Sequence, residues 1–117
     1  MKVKLNVSER IFALGILNAF KGKMETMATI MDDIKEVTIS PEDKKKCEWV
    51  ENPGKDENGN DTIVSVGWND LKGGEKEVEF QPLTLDYILQ TIEDRNEKGD
   101  LTFQDKAIIS LKEKLTK

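Results

Sequence analysis

Histidine is absent from the 117 residues, and Cys47 is the single cysteine. Without histidine no Ser–His–Asp or Cys–His nucleophile can be assembled, and no imidazole is available to a metal. One thiol forms neither an intramolecular disulfide nor a cysteine-rich zinc site, and it suits a reducing compartment. Arginine is almost as scarce: Arg10 and Arg95 stand against sixteen lysines. Forked clamps for phosphate or guanine are therefore nearly missing. No apolar run approaches the ~18–20 residues of a membrane span. No G-x-x-x-x-G-K-[ST] loop occurs, and Gly73-Gly74 is followed by glutamate. These gaps lead us to expect a protein that is not an enzyme, uses no cofactor or metal, and binds neither membrane nor nucleic acid in general.

What the chain does have is charge. Charged residues make up 35% of it and hydrophobic residues 37%, against a usual charged share of ~25%. The surface is dense in ions while the core remains adequate for one domain over residues 1–117. The net charge is -5, and residues 48–79 alone carry -6. Lys2, Lys4 and Arg10 ahead of the apolar run Ile11–Phe20 give a superficial likeness to a secretory leader. Glu9 and Asn18 interrupt it and no small-x-small site follows, so a cytoplasmic location is expected.

Periodicity gives an α+β domain. Val3, Leu5 and Val7 alternate with Lys2, Lys4 and Asn6 as a short strand. Ser8 is the expected cap of a helix running to Phe20, with Gly22 as its stop. Met24, Met27, Met31 and Ile34 mark a second helix, and Val37-Thr38-Ile39 is extended by composition. The methionine stripe fits ordinary core, or a soft docking face. Ser40-Pro41-Glu42-Asp43 is a strong helix start, opening a short helix with Lys44, Lys45 and Lys46. The acidic middle is expected as a meander of three strands: one from Trp49-Val50, one over Thr62–Trp68 and one over Glu75–Phe80. A long polar loop, Asn52 to Asn60, separates the first two. Thr84 is the expected cap of a helix striped by Leu85, Ile88, Leu89 and Ile92, ended by Gly99. Thr102 caps the last, with Asp105 three residues on and Phe103, Ala107, Ile108, Leu111 and Leu115 inward. The fold expected is a small antiparallel sheet of three to four strands, packed by N-terminal helices and a C-terminal helical hairpin.

Several constellations invite chemistry. Asp56-Glu57-Asn58-Gly59-Asn60-Asp61 is rich in oxygen, but an EF-hand loop from Asp56 would need glycine where Asp61 stands and glutamate where Gly67 stands. Cys47 follows three lysines that could lower its pKa, yet no base or resolving cysteine accompanies it, which favours a buried, inert thiol. Asp32-Asp33 with Glu36 fits a solvated helix end. A winged helix-turn-helix would use the Lys44–Lys46 helix as reader and the acidic hairpin as wing, without the Arg, Asn or Gln that address base edges.

The opening stretch Val3 to Arg10 with its Ser8-Glu9-Arg10 resembles small uncharacterised proteins encoded by bacteriophages and prophages of low-GC bacteria. So do the strand end Val66-Gly67-Trp68-Asn69, the acidic strand Glu75 to Phe80, and Glu97-Lys98-Gly99-Asp100-Leu101-Thr102 between the terminal helices. The Asn52–Asn60 loop departs from that pattern. The resemblance implies a phage origin and supplies no active site. We expect a phage or prophage interaction protein in the bacterial cytoplasm, binding a basic protein partner or itself. Glu75, Glu77 and Glu79, widened by Glu51, Asp61 and Asp70, form the candidate partner face. Phe12, Ile16 and Phe20 on the strongly apolar first helix form the candidate homo-oligomer interface. The alternatives are a winged-helix-like transcriptional regulator, or a small-ligand sequestering protein with its pocket between subunits.

Overall fold

The first strand, β1 (Lys2–Leu5), turns its valine and leucine inward and its two lysines outward. The computed structural model describes residues 2–102 and 107–116. Helix α1 (Val7–Asn18) follows, capped by Asn6 and not by Ser8. The Asn6 side chain accepts the Glu9 N–H at 2.8 Å, and Glu9 Oε1 accepts the Asn6 N–H at 2.9 Å. This reciprocal box satisfies two end donors at once. Ser8 lies inside the first turn, where its hydroxyl accepts the Trp68 indole N–H at 3.0 Å.

Helix α2 (Met24–Val37) takes in only the first residue of the segment expected to be extended, Val37, which is buried in the core; Thr38 is extended at φ -62° and ψ 136°, and its hydroxyl donates back to the Ile34 carbonyl at 2.8 Å. Its methionines lie outside that core: Met24, Met27 and Met31 are all exposed. Helix α3 (Pro41–Lys46) starts where the sequence places it, with Ser40 and Asp43 closing a capping box. Glu48, in the left-handed region at φ 55°, turns the chain out of α3.

Strands β2 (Val50–Lys55) and β3 (Asp61–Gly67) pair antiparallel. Pro53 and Gly54 thus belong to a strand, and the expected long loop shrinks to residues 56–60. A single helical turn, α4 (Asp70–Gly73), leads to β4 (Lys76–Glu79).

The expected meander of one sheet is instead two separate two-stranded sheets, β1–β4 and β2–β3. The reason is visible in the register, which sets Lys2 opposite Glu79 and Lys4 opposite Glu77, with Val3 opposite Val78 between them. The lysine face of β1 meets the glutamate face of β4, and the apolar faces coincide. Opposite charges in such pairs contribute roughly 0.2–1 kcal/mol each. β3 offers β4 no lysine.

Helix α5 (Pro82–Lys98) begins at its proline, with Gln81 as cap residue. Thr84, the expected cap, lies inside the helix and is fully buried. Gly99 ends α5 at φ 70°, a left-handed conformation that a side chain would strain. Helix α6 (Ala107–Leu115) packs against α1, α5 and β1; Phe103 and Asp105 of the expected cap lie outside the described residues. Val3, Leu5 and Val78 of the β1–β4 ribbon, with Phe80 just past β4, join Leu17, Ile30, Ile88, Ile92, Leu111 and Leu115 in one core. Helix α1 sits at its centre, packed by α2, α5, α6 and β1. That placement accounts for its surplus of apolar residues within the chain.

Candidate functional site

The acidic residues proposed as a partner face divide between two places. Glu77 and Glu79 are on the outer face of β4 beside the lysines of β1. Glu75 accepts a hydrogen bond from Lys114 Nζ at 2.6 Å, which with the ammonium's charge holds its carboxyl below the usual range. Glu51 and Asp61 are on the other sheet, and each already has a cation: Lys44 at 3.8 Å and Lys55 at 2.9 Å. Asp70 opens α4, and its side chain lies outside the described part. The structure therefore does not gather the six on one face, and cations stand beside five of them.

Of the expected interface residues, Ile16 is buried in the core, while Phe12 and Phe20 are half-buried. Phe20 meets Tyr87 edge-on, with ring centroids 5.2 Å apart. Phe12 and Ile16 line a cleft of about 330 Å³ between α1 and α5, with Tyr87, Thr91 and Arg95 on its far wall. This lies at the lower end of the ~300–1,000 Å³ typical of ligand sites.

What sequence reasoning missed is the placement of the β2–β3 hairpin, whose two strands it expected inside one larger sheet. It stands off the body as an arm. Val50, Ile63, Val64 and Val66 are 54%, 52%, 59% and 39% exposed. Among the described residues its strands make their broad contact only with each other. The radius of gyration, 15.1 Å, exceeds the ~13 Å of a compact chain of this length. The signal was present: Ile63-Val64 breaks the alternation of a half-buried strand, so both faces of the arm carry apolar side chains. The register slips between Asn52 and Pro53, leaving Val64 with no residue directly across. Gly54 makes the room for it, since a Cβ there would come within 2.6 Å of a Val64 methyl.

Two tryptophans fix the foot of the arm. Trp49 and Trp68 stack at 5.7 Å with 17° between their planes. The Lys44 ammonium sits 5.3 Å from the Trp49 ring centre. The Trp68 bond to Ser8 ties the pair to α1, and the Asn69 N–H reaches the Cys47 carbonyl at 2.6 Å. Lys44, Lys45 and Lys46 stand beside this foot on α3, which is six residues long and packs against α4. At the other end Asp56 Oδ1 accepts the N–H groups of Asn58 and Asn60, both at 2.9 Å, and Gly59 takes φ 80°. That carboxylate closes a tight turn. Among the described residues no group of three or more Cys, Asp or Glu side chains is placed to hold a metal ion.

Cys47 is fully buried at the end of α3, its Sγ 3.7 Å from the Lys44 carbonyl. A Cβ on Gly73 would come within 3.0 Å of Cys47 Cβ and 2.6 Å of a Val7 methyl. Cys47→Ala should lower stability by ~1–2 kcal/mol and leave self-association unchanged. Lost association at an unchanged melting temperature would mean the thiol acts chemically.

Among the described residues no helix is long and apolar enough to cross a membrane. In comparisons with protein-family models, curated proteins and solved structures, nothing matches this chain.

Proposed function

We propose that this is a non-catalytic interaction protein that joins another protein chain through the β2–β3 arm. The observation that carries this reading is the arm itself: an apolar, β-branched hairpin held away from the body by a stacked tryptophan pair. A free two-stranded hairpin is marginal in water and gains stability from a further strand or an apolar cover. The phage resemblance, with a lone buried thiol, suits a product of phage or prophage working in the bacterial cytoplasm. The acids and lysines of the β1–β4 ribbon face each other, so the binding role moves from Glu75, Glu77 and Glu79 to the arm.

The triple variant Ile63→Thr/Val64→Thr/Val66→Thr tests this reading. Threonine keeps the strand preference while removing the apolar surface. Exposed positions of this kind change stability by about 0.5 kcal/mol or less each. The variant should unfold in urea at nearly the parent's midpoint, with an unchanged circular dichroism spectrum. A loss of several kcal/mol would make these residues part of the core and end the proposal.

A further inference from the structure

The cleft between α1 and α5 is walled differently on its two sides. α1 presents apolar residues, Ile11, Phe12 and Ile16, and α5 presents Tyr87, Thr91 and Arg95. The α5 residues stand four apart, which sets them in a row on one helix face. Tyr87, at one end of the row, meets the Phe20 ring edge-on. Arg95 stands at the other end, about two turns and ~12 Å further along the axis. Between them the Thr91 hydroxyl is spent on the Tyr87 carbonyl at 2.9 Å. Among the described residues that line the cleft, Arg95 is the one that carries a charge. The α1 wall also holds a gap that the protein's own packing does not require. Gly15 lies in the interior of α1, where glycine is the poorest helix former after proline. It has no left-handed φ, it is exposed, and a Cβ added to it would meet nothing within 4 Å. Neither backbone nor neighbours call for glycine here, and its effect is to keep the cleft open.

We infer that this cleft binds a small monocarboxylate with an apolar body, of the size of a medium-chain fatty acid. The apolar α1 wall and the volume of about 330 Å³ suit a small ligand that buries hydrocarbon. A guanidinium offers paired donors that match the two oxygens of a carboxylate. One cation balances one carboxylate, whereas a phosphate monoester brings a charge of about -1.5 to -2, and the described lining has no second cation to meet it. Arginine is also used sparingly in this chain, two against sixteen lysines. The other, Arg10, serves where one guanidinium must bridge two acceptors. Arg95 has an interaction of its own within the protein; with five N–H donors its guanidinium keeps that contact and still donates to a ligand. The site lies within one chain, between two of its helices, and the arm takes no part in it.

Octanoate and octan-1-ol share a hydrocarbon chain and differ in charge, which makes them the probes. Two-dimensional amide NMR of the full chain is the readout. Octanoate should give saturable shifts at residues 11–19 and 87–95, with a Kd of about 0.1–1 mM, as suits about ten heavy atoms. Octanol should bind about tenfold more weakly, the share of a charge-assisted hydrogen bond. Arg95→Met should weaken octanoate about tenfold and leave octanol unchanged. Gly15→Leu should fill the cleft and abolish both sets of shifts, with circular dichroism checking its fold. Should that variant not fold, Arg95→Met with the two probes decides alone. The threonine triple variant of the arm should bind octanoate as the parent does.

No saturable shift at about 5 mM octanoate overturns the inference, as do equal affinities for octanoate and octanol. So does an Arg95→Met variant that binds octanoate as tightly as the parent, or a folded Gly15→Leu variant that still binds it. Shifts centred on Ile63, Val64 and Val66 would place the probe on the exposed arm and equally exclude the cleft. A failed cleft leaves the reading of the arm standing, because the unfolding midpoint of the triple variant tests that reading separately.

Discussion

Replacing Lys114 with methionine should destabilise the fold by about 3 kcal/mol, a large share of the ~5–15 kcal/mol that a domain has. The Lys114 ammonium is the hub of the C-terminal closure. It donates to Glu9 Oε1 at 2.7 Å, to the Lys4 carbonyl at 2.8 Å and to Glu75 Oε2 at 2.6 Å. Helix α6 is thereby tied to the start of α1, to β1 and to the approach to β4. Glu9 is completely buried, and its second oxygen has no partner among the described residues. Without Lys114 a carboxylate would stay in the core with no counter-charge. Breaking a buried pair on one side costs roughly 3–5 kcal/mol. The lower figure applies because the Lys114 side chain is 30% exposed and water can enter.

Glu75→Gln should matter far less, because the Glu75 side chain is 48% exposed and surface pairs contribute ~0–1 kcal/mol. Burial pushes the Lys114 ammonium down, but the carboxylates of Glu75 and Glu9 outweigh it and hold its pKa above the ordinary lysine value. Its stabilising contribution is thus complete below that ordinary value and fades as pH rises through the folded one. Urea titrations in strongly alkaline buffer should show the parent losing stability where Lys114→Met does not. Equal midpoints for parent and variant at neutral pH would mean that Glu9 tolerates burial unaided.

The network explains which parts of the fold were legible in the sequence. Local signals were readable: the alternation of β1, the Ser40-Pro41 start, the stripe of α5 and the Gly99 stop all act within a few residues. What the sequence hid depends on distant partners. Glu9 and Arg10 look like the solvated first turn of a helix, and they are buried because α6 and α3 close over them. Asp33 looks like half of an exposed acidic pair. In the structure it is buried and accepts the Gln81 N–H at 3.0 Å, holding the start of α5. The arm was hidden for the opposite reason. An apolar strand such as the one expected over Thr62–Trp68 carries no mark saying that it will stand clear of the body. The six acids of the candidate face were countable, but the lysines beside Glu75, Glu77 and Glu79 come from α6 and β1, far away in sequence.

Arg10→Met should be comparably severe, and its partner makes the effect divisible. Arg10 Nη2 donates to the Thr38 carbonyl at 2.7 Å and to Asp43 Oδ2 at 2.9 Å, with the arginine side chain 3% exposed. One guanidinium therefore binds the end of α2 and the cap of α3 to α1. Its loss strands the Thr38 carbonyl and leaves Asp43 without a counter-charge, for an expected cost of about 3–4 kcal/mol. Asp43→Asn removes the charge alone and should cost about 1–2 kcal/mol. If the two act as one unit, the double variant should fall short of the sum by ~1–3 kcal/mol. The acid limb gives an independent reading. Burial pushes the Asp43 carboxyl up, but Arg10 and the groups of Ser40 outweigh it, so the pKa lies below the usual aspartate value. A depressed carboxylate stabilises the fold above its unfolded pKa, and the contribution is lost as pH falls through the folded one. The parent should therefore lose stability below about pH 4, near the unperturbed aspartate value. Arg10→Met, already without the pair, should show a shallower acid slope. Additive costs with parallel acid slopes would separate the two residues and leave the Thr38 carbonyl as what Arg10 is buried to reach.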